Sequence, residues 1–213
     1  MGHLVLLRHG ESQWNLENRF TGWIDVPLSD QGRDEAMIAA EQLSGYRLDR
    51  AFTSRLVRAT DTLRIVLAAI GQGQIPIEEH QALNERRYGY LQGLNQEESV
   101  EKYGAEQVEI WRRSYEVRPP GGESLHDTAA RVLPYYQERI KPALDNGDTV
   151  LIVAHGNSLR ALVMHLEHLS PQQIVALSIS TGALRVYGVD DKGDVVLVRQ
   201  DDRDETSRAK EAE

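Results

Sequence analysis

Two stretches of the chain are apolar without interruption and too short for a helix, Leu4-Val5-Leu6-Leu7 and Val150-Leu151-Ile152-Val153. Runs of this kind suit strands buried on both faces of a parallel sheet. A third, shorter candidate is Arg50-Ala51-Phe52-Thr53, and each of the three precedes a segment able to form a helix. After Ser29, Ala36, Ala39, Ala40 and Leu43 recur at helical spacing up to Gly45; after Ser54, Ala59, Leu63, Val66, Leu67 and Ile70 do so up to Gly71. Ser29 and Ser54 are the expected caps. Strands alternating with helices predict an α/β fold, a single three-layer domain whose mostly parallel sheet is flanked by helices.

Asn95 with Glu98 three residues on has the form of a capping box for a helix over 96–103, and Ser124 to Leu144 reads as a helix that Pro134 kinks. Pro119-Pro120-Gly121-Gly122 is a tight connection, and Asp190-Asp191-Lys192-Gly193 joins Leu184–Val189 to Val195–Val198 as a hairpin. No repeat or linker-like stretch divides the chain, so one domain is expected over residues 1–200, followed by a charged, flexible tail over 201–213.

Composition narrows the partners. The chain has 213 residues, 40% hydrophobic and 27% charged, and no apolar run reaches the roughly 18 to 20 residues a membrane span needs. Lys+Arg 24 against Asp+Glu 33 gives −9, so neither nucleic acid nor an anionic membrane is an expected partner, and an anionic ligand needs a local basic pocket. With no cysteine and no signal-peptide layout, a cytoplasmic location is expected. Self-association into a homo-oligomer is left open.

The first strand ends in Arg8-His9-Gly10-Glu11-Ser12 and the strand at 150–153 in Ala154-His155-Gly156-Asn157-Ser158. Ligands of open α/β sheets bind outside the carboxyl ends of the strands, so both histidines are candidates for one pocket. Glycine after each histidine would admit a close backbone approach, and the amides of 156–158, opening a helix, would face an anion. Arg58, one helical turn past the third strand, could join Arg8 in gripping a phosphoryl group through bidentate hydrogen bonds. A neutral imidazole is a competent nucleophile toward phosphorus, and a protonated second histidine would help stabilise the charge on the transferring oxygens. Glu85 in Leu83-Asn84-Glu85-Arg86-Arg87 is the candidate acid/base, although such a polar stretch is more often a solvated loop.

Plainer readings compete. A single His-Gly after a strand is more often a tight turn, and it is the pair that favours chemistry. Ser12 and Ser158 lie outside any Gly-x-Ser-x-Gly and suit capping or phosphate contact better than nucleophilic attack. His165 and His168 flank Glu167 without a third ligand, a solvated face rather than a site, and no metal is expected. The sequence lacks Gly-x-x-x-x-Gly-Lys-Ser/Thr, which disfavours nucleotide-dependent transfer. Trp111-Arg112-Arg113 reads by spacing as an ordinary amphipathic helix end.

Taken together, these motifs resemble the histidine phosphatase superfamily and, within it, the cofactor-dependent phosphoglycerate mutases, from the first strand to about residue 189. Leu7-Arg8-His9-Gly10-Glu11-Ser12-Gln13-Trp14-Asn15 is similar to the nucleophile motif, Phe20-Thr21-Gly22-Trp23 and Asp25-Val26-Pro27-Leu28-Ser29 to the loop after it. Tyr88-Gly89 and Leu91-Gln92-Gly93-Leu94-Asn95, following Leu83-Asn84-Glu85-Arg86, are similar to the acid/base and substrate loop. The resemblance implies a phosphoglycerate-mutase-like fold in which His9 carries the phosphoryl group, Glu85 moves the proton, and His155, Arg8 and Arg58 surround the phosphorus. It also implies contacts to a small phosphorylated substrate from Ser12, Asn15, Thr21, Gly22, Tyr88, Arg112, Arg113, Gly156 and Asn157. The implied reaction interconverts 3-phosphoglycerate and 2-phosphoglycerate, primed by 2,3-bisphosphoglycerate as the cofactor, without a metal. Gln96 stands where the family pattern Gly-Leu-Asn-Lys has a substrate-contacting lysine, and the Pro119–Glu123 link is shorter than in many bacterial mutases. Losing that charge lowers the expected substrate affinity by about tenfold. A broad-specificity phosphomonoesterase and a non-catalytic phosphate-binding module are the competing functions.

Overall fold

The computed structural model describes residues 2–190 and 195–201. Its elements follow in chain order as β1 (His3–Arg8), α1 (Gln13–Leu16), α2 (Asp30–Leu43), β2 (Arg50–Thr53), α3 (Val57–Ala69) and β3 (Ile77–Glu79). After two 3-10 turns, Gln81–Leu83 and Gly89–Leu91, come α4 (Gln96–Tyr103), α5 (Ala105–Arg113), α6 (Leu125–Tyr135), a π-helical turn (Tyr136–Ile140) and α7 (Lys141–Asp145). The chain continues through β4 (Val150–Ala154), α8 (Gly156–Leu166), α9 (Pro171–Ala176), β5 (Leu184–Val189) and β6 (Val195–Asp201).

One six-stranded sheet runs in the order β3-β2-β4-β1-β5-β6. The first four pair parallel with one another, while β1–β5 and β5–β6 pair antiparallel, so the sheet is mostly parallel as expected. Period-two alternation splits β1 between the two faces. Leu4 and Leu6 pack with Phe52, Ile152 and helices α6 and α8. Val5 and Leu7 pack with Leu151, Val153 and the Ala36, Ala39, Leu43, Leu63 and Val66 stripes of α2 and α3. Helix, sheet and helix thus form three layers around two buried faces.

Several local expectations change. Ser29 caps α2 by accepting the Gly32 N–H, but the N-cap of α3 is Leu56, which offers no side-chain acceptor. The serine expected there, Ser54, accepts the Leu56 N–H and meets the His155 Nε2, while Asp25 accepts the Val57 N–H. Pro134 lies inside α6, and the helix continues past it into the π turn before α7 starts with Pro142 in its first turn, so the break is a widening rather than an end. The short β3 was not expected, because Ile77-Glu78-Glu79 is neither apolar nor cleanly alternating. The β5–β6 hairpin is present, whereas residues 191–193 of its turn and 202–213 of the tail lie outside the described residues. Asp201 belongs to β6, not to the tail.

Candidate active site

The sheet register creates the site. Arg8 of β1 is the partner of Ala154 on β4, so the next residue on each strand, His9 and His155, emerges side by side at the carboxyl edge. Their ring centroids are 4.8 Å apart. Both are buried. The His9 Nδ1 lies 2.6 Å from the Gly10 carbonyl oxygen. A carbonyl only accepts, so Nδ1 carries the proton and Nε2 keeps its lone pair.

Burial, reinforced by the Arg58 and Arg8 charges, holds His9 well below the usual imidazole range. Burial does the same to His155, with Arg58, His9 and Arg8 adding to it. The expected protonated second histidine is therefore corrected: a cation beside Arg58 and His9 in a desolvated site is disfavoured, and His155 is neutral at pH 7. We expect kcat/KM to stay on its plateau as pH falls through 6.5, where an ordinary imidazole is half protonated, with the acid limb below it; a pH–rate profile from 5 to 8 checks this.

Arg58 is almost fully buried, and burial brings its guanidinium down to about 10, which leaves it charged at neutral pH. It donates to the carbonyls of Gly22 at 2.8 Å and Ile24 at 3.1 Å, so the 21–24 turn orients it. Gly22 has φ +56, and a Cβ there would lie 2.2 Å from the Gln92 side-chain oxygen. Arg8 donates through Nη1 to the Ile179 carbonyl, while its buried Nε has no partner among the described residues. A buried guanidinium nitrogen without a partner fits an anion.

The glycines after the histidines have reasons other than the expected one. A Cβ on Gly10 would sit 2.0 Å from the Gly32 carbonyl oxygen, so α2, not a ligand, demands the close approach. A Cβ on Gly156 would meet only the Arg8 guanidinium at ordinary contact distance. The Asn157 N–H, expected to face an anion, instead donates to Glu85 Oε1 at 3.1 Å.

Glu85 is buried together with Asn84 and Arg86, so this stretch is not a solvated loop. Its Oε1 also accepts the Arg86 N–H at 2.7 Å, and Oε2 has no partner among the described residues. The fully buried Arg86 donates to the Trp111 carbonyl and thereby fastens the end of α5 to the Glu85 loop. Trp111 packs edge-on to Tyr103, while Arg112 and Arg113 beyond it turn to the pocket, so this helix end serves both packing and the site.

The pocket wall brings together Arg8, His9, Asn15, Thr21, Gly22, Arg58, Glu85, Tyr88, Gln96, Arg112, Arg113, Gly156 and Asn157. Ser12 and His155 are not in the wall: Ser12 is buried as the cap of α1, hydrogen-bonded to Asn15, and His155 stands behind His9 against Ser54. Gln96 accepts from the Asn18 side chain at 3.1 Å and brings no charge. Sequence reasoning missed Arg19 and Arg160. Arg160 lies one helical turn past Asn157, a spacing that could have revealed it, and reaches the Asn157 side-chain oxygen at 3.2 Å. Six arginines and a single carboxylate therefore line the wall, and the basic pocket that a −9 chain needs is present. His165 lies outside it, against Gln137 and Tyr136.

Fold and site define a phosphoryl-handling α/β protein. The chain matches the histidine phosphatase superfamily (branch 1) over residues 4–202 and belongs to that superfamily. Among its relatives, a Parvibaculum lavamentivorans protein named 2,3-bisphosphoglycerate-dependent phosphoglycerate mutase is 57% identical, the match covering 91% of this chain and 93% of that one. A Schizosaccharomyces pombe phosphoglycerate mutase is 53% identical over 91% and 92%. Among solved structures, a mycobacterial glucosyl-3-phosphoglycerate phosphatase with VO3 is similar at TM-score 0.80 and 29% identity, covering 95% of this chain and 98% of that one. Bacillus stearothermophilus YhfR is similar at TM-score 0.80 and 29% identity, over 93% and 96%.

Proposed function

We propose that the protein interconverts 3-phosphoglycerate and 2-phosphoglycerate through a phosphohistidine on His9, the reaction named for its curated relatives of 53–57% identity. The observation that carries the chemistry is the neutral, open Nε2 of His9 set between the Arg8 and Arg58 guanidiniums, with the free Oε2 of Glu85 in the same wall. Bound 2,3-bisphosphoglycerate supplies the phosphoryl group that first charges His9. The residues fit such a polyanion, since the buried Arg8 Nε has no partner among the described residues and six arginines share the wall with one carboxylate, Glu85.

In the forward step a substrate hydroxyl attacks the phosphorus on His9, and Glu85 accepts the hydroxyl proton as the P–N bond breaks. The Nε2 lone pair is restored. In the return step Nε2 attacks the other phosphate, the P–O bond breaks, and Glu85 gives its proton to the departing oxygen. A positioned acid/base of this kind contributes about 10²–10⁴-fold. Arg8 and Arg58 neutralise the equatorial oxygens throughout, and His155, neutral, holds the ring of His9 by edge contact. Arg112, Arg113, Tyr88 and Asn157 take the carboxylate end, and Ser12 acts through Asn15. Free phosphoglycerates go with the cytoplasmic location expected from the sequence.

Hydrolysis of the phosphohistidine by water is the second reading, favoured by Gln96, which contributes no cation to the substrate end. Phosphorus NMR of 3-phosphoglycerate with the protein separates the two. We expect the 2-phosphoglycerate signal to grow, and to grow faster with a trace of 2,3-bisphosphoglycerate; inorganic phosphate as the sole product would establish the phosphatase instead.

A further inference from the structure

The Glu85 residue is held at both ends. Its Oε1 receives two backbone N–H groups, and its backbone carbonyl oxygen receives two side-chain donors, Trp23 Nε1 at 2.5 Å and Arg131 Nη2 at 2.8 Å. Neither donor belongs to the pocket wall. Arg131, on α6, also donates to the carbonyls of Ala82 and Asn84 and forms a two-nitrogen pair with Glu123. One guanidinium thus fixes three carbonyls of the 82–85 stretch against a helix of the core.

The Trp23 ring lies under the Arg87 guanidinium at 4.0 Å and beside that of Arg131 at 5.5 Å, which fixes its plane and aims its N–H. Its backbone sits between the two carbonyls, Gly22 and Ile24, that hold Arg58. The same turn therefore grips the arginine beside the phosphoryl site through its main chain and the acid/base residue through its side chain.

We propose that Trp23 and Arg131 are positioning residues for Glu85, holding its carboxyl at a set distance from the phosphoryl site by clamping its backbone carbonyl, with Trp23 tying that carboxyl to the Arg58 grip. This rests on the acid/base role given to Glu85 above. Displacement of a reacting group by about 1 Å costs on the order of 10²-fold. Trp23→Phe keeps an aromatic ring, the main chain and both Arg58 carbonyls, and deletes the N–H together with one ring of the indole.

The test compares kcat/KM for two phosphomonoesters, p-nitrophenyl phosphate, whose leaving group needs no proton, and glycerol phosphate, whose leaving group does. We expect Trp23→Phe to lose about 10- to 100-fold on the alkyl ester and little on the aryl ester. Arg131→Lys, which cannot span the same acceptors, is expected to show the same selectivity and serves if the first variant folds poorly. Glu85→Gln is the benchmark, with a larger loss of the same pattern. Equal losses on both esters, or no loss, in both positioning variants while Glu85→Gln is selective overturns the positioning role alone. A Glu85→Gln variant that is not selective overturns the assignment of Glu85 and the proposal with it.

Discussion

His9→Ala is expected to remove turnover by at least about 10⁴-fold, because no other group in the wall offers an open imidazole lone pair to phosphorus. His155 cannot substitute: it stands behind His9 rather than in the wall, with its Nε2 engaged by Ser54 Oγ at 2.7 Å and its Nδ1 buried. The fold should persist, since the two main-chain bonds of His9, its N–H to the Ala154 carbonyl and the Gly182 N–H to its own carbonyl, are ones that alanine keeps. Phosphorus NMR turnover together with thermal unfolding checks both halves, and intact mass should show an acid-labile phosphate on the parent protein and none on the variant. Full turnover by the variant would refute the phosphohistidine mechanism.

Arg58→Ala is expected to be costly twice. Its guanidinium is the donor to the Gly22 and Ile24 carbonyls; Ile24 is exposed, but the buried Gly22 acceptor without a partner costs about 1–3 kcal/mol, and stability should fall by roughly that amount. Loss of a fixed cation at the transferring phosphoryl group should lower kcat/KM by about 10²–10³-fold or more. A third readout separates electrostatics from loosened packing. Arg58 is the first-ranked charge, after burial, that holds both histidines down; without it their imidazoles bind protons more readily, and the acid limb of the pH–rate profile should move up toward 6.5. Chemical denaturation and the pH profile of the purified variant measure these effects, and an unmoved acid limb would show that burial alone sets the histidines.

The sheet and the histidine pair were legible because each histidine lies two residues past a short, fully apolar run, Leu4–Leu7 or Val150–Val153, and such runs leave little choice but adjacent buried strands. The function was legible through motif resemblance more than through spacing: from spacing alone, Asn84-Glu85-Arg86 looks like solvent-facing polarity, and for Glu85 it is Arg131, Trp23 and the Asn157 amide that explain its burial. These partners come from residues 23, 131 and 157, and no local pattern carries such contacts. The titration state of His155 was misjudged for a related reason. A histidine near anionic chemistry suggests a cation, but its charge depends on two arginines and another histidine delivered by other elements. Ser54 was misread as a cap because its position before a helix is the ordinary signature, whereas its hydroxyl meets a ring 101 residues away.

The strand order has a consequence for how the chain comes off the ribosome. β1 and β2 do not pair with each other; each pairs with β4, which lies between them and is made about 100 residues after β2. Until Val150–Ala154 emerges, the nascent chain carries two apolar strand edges with no mate, Leu4–Leu7 and Ala51–Phe52, and helices α2 and α3 have no finished sheet to cover. Long-range pairing of this kind is slow to close and exposes sticky edges while it waits. Insertion of β4 is therefore the step that simultaneously mates the facing edges of β1 and β2 and brings the two histidines into register, so a chain that stops short of it is both aggregation-prone and chemically silent.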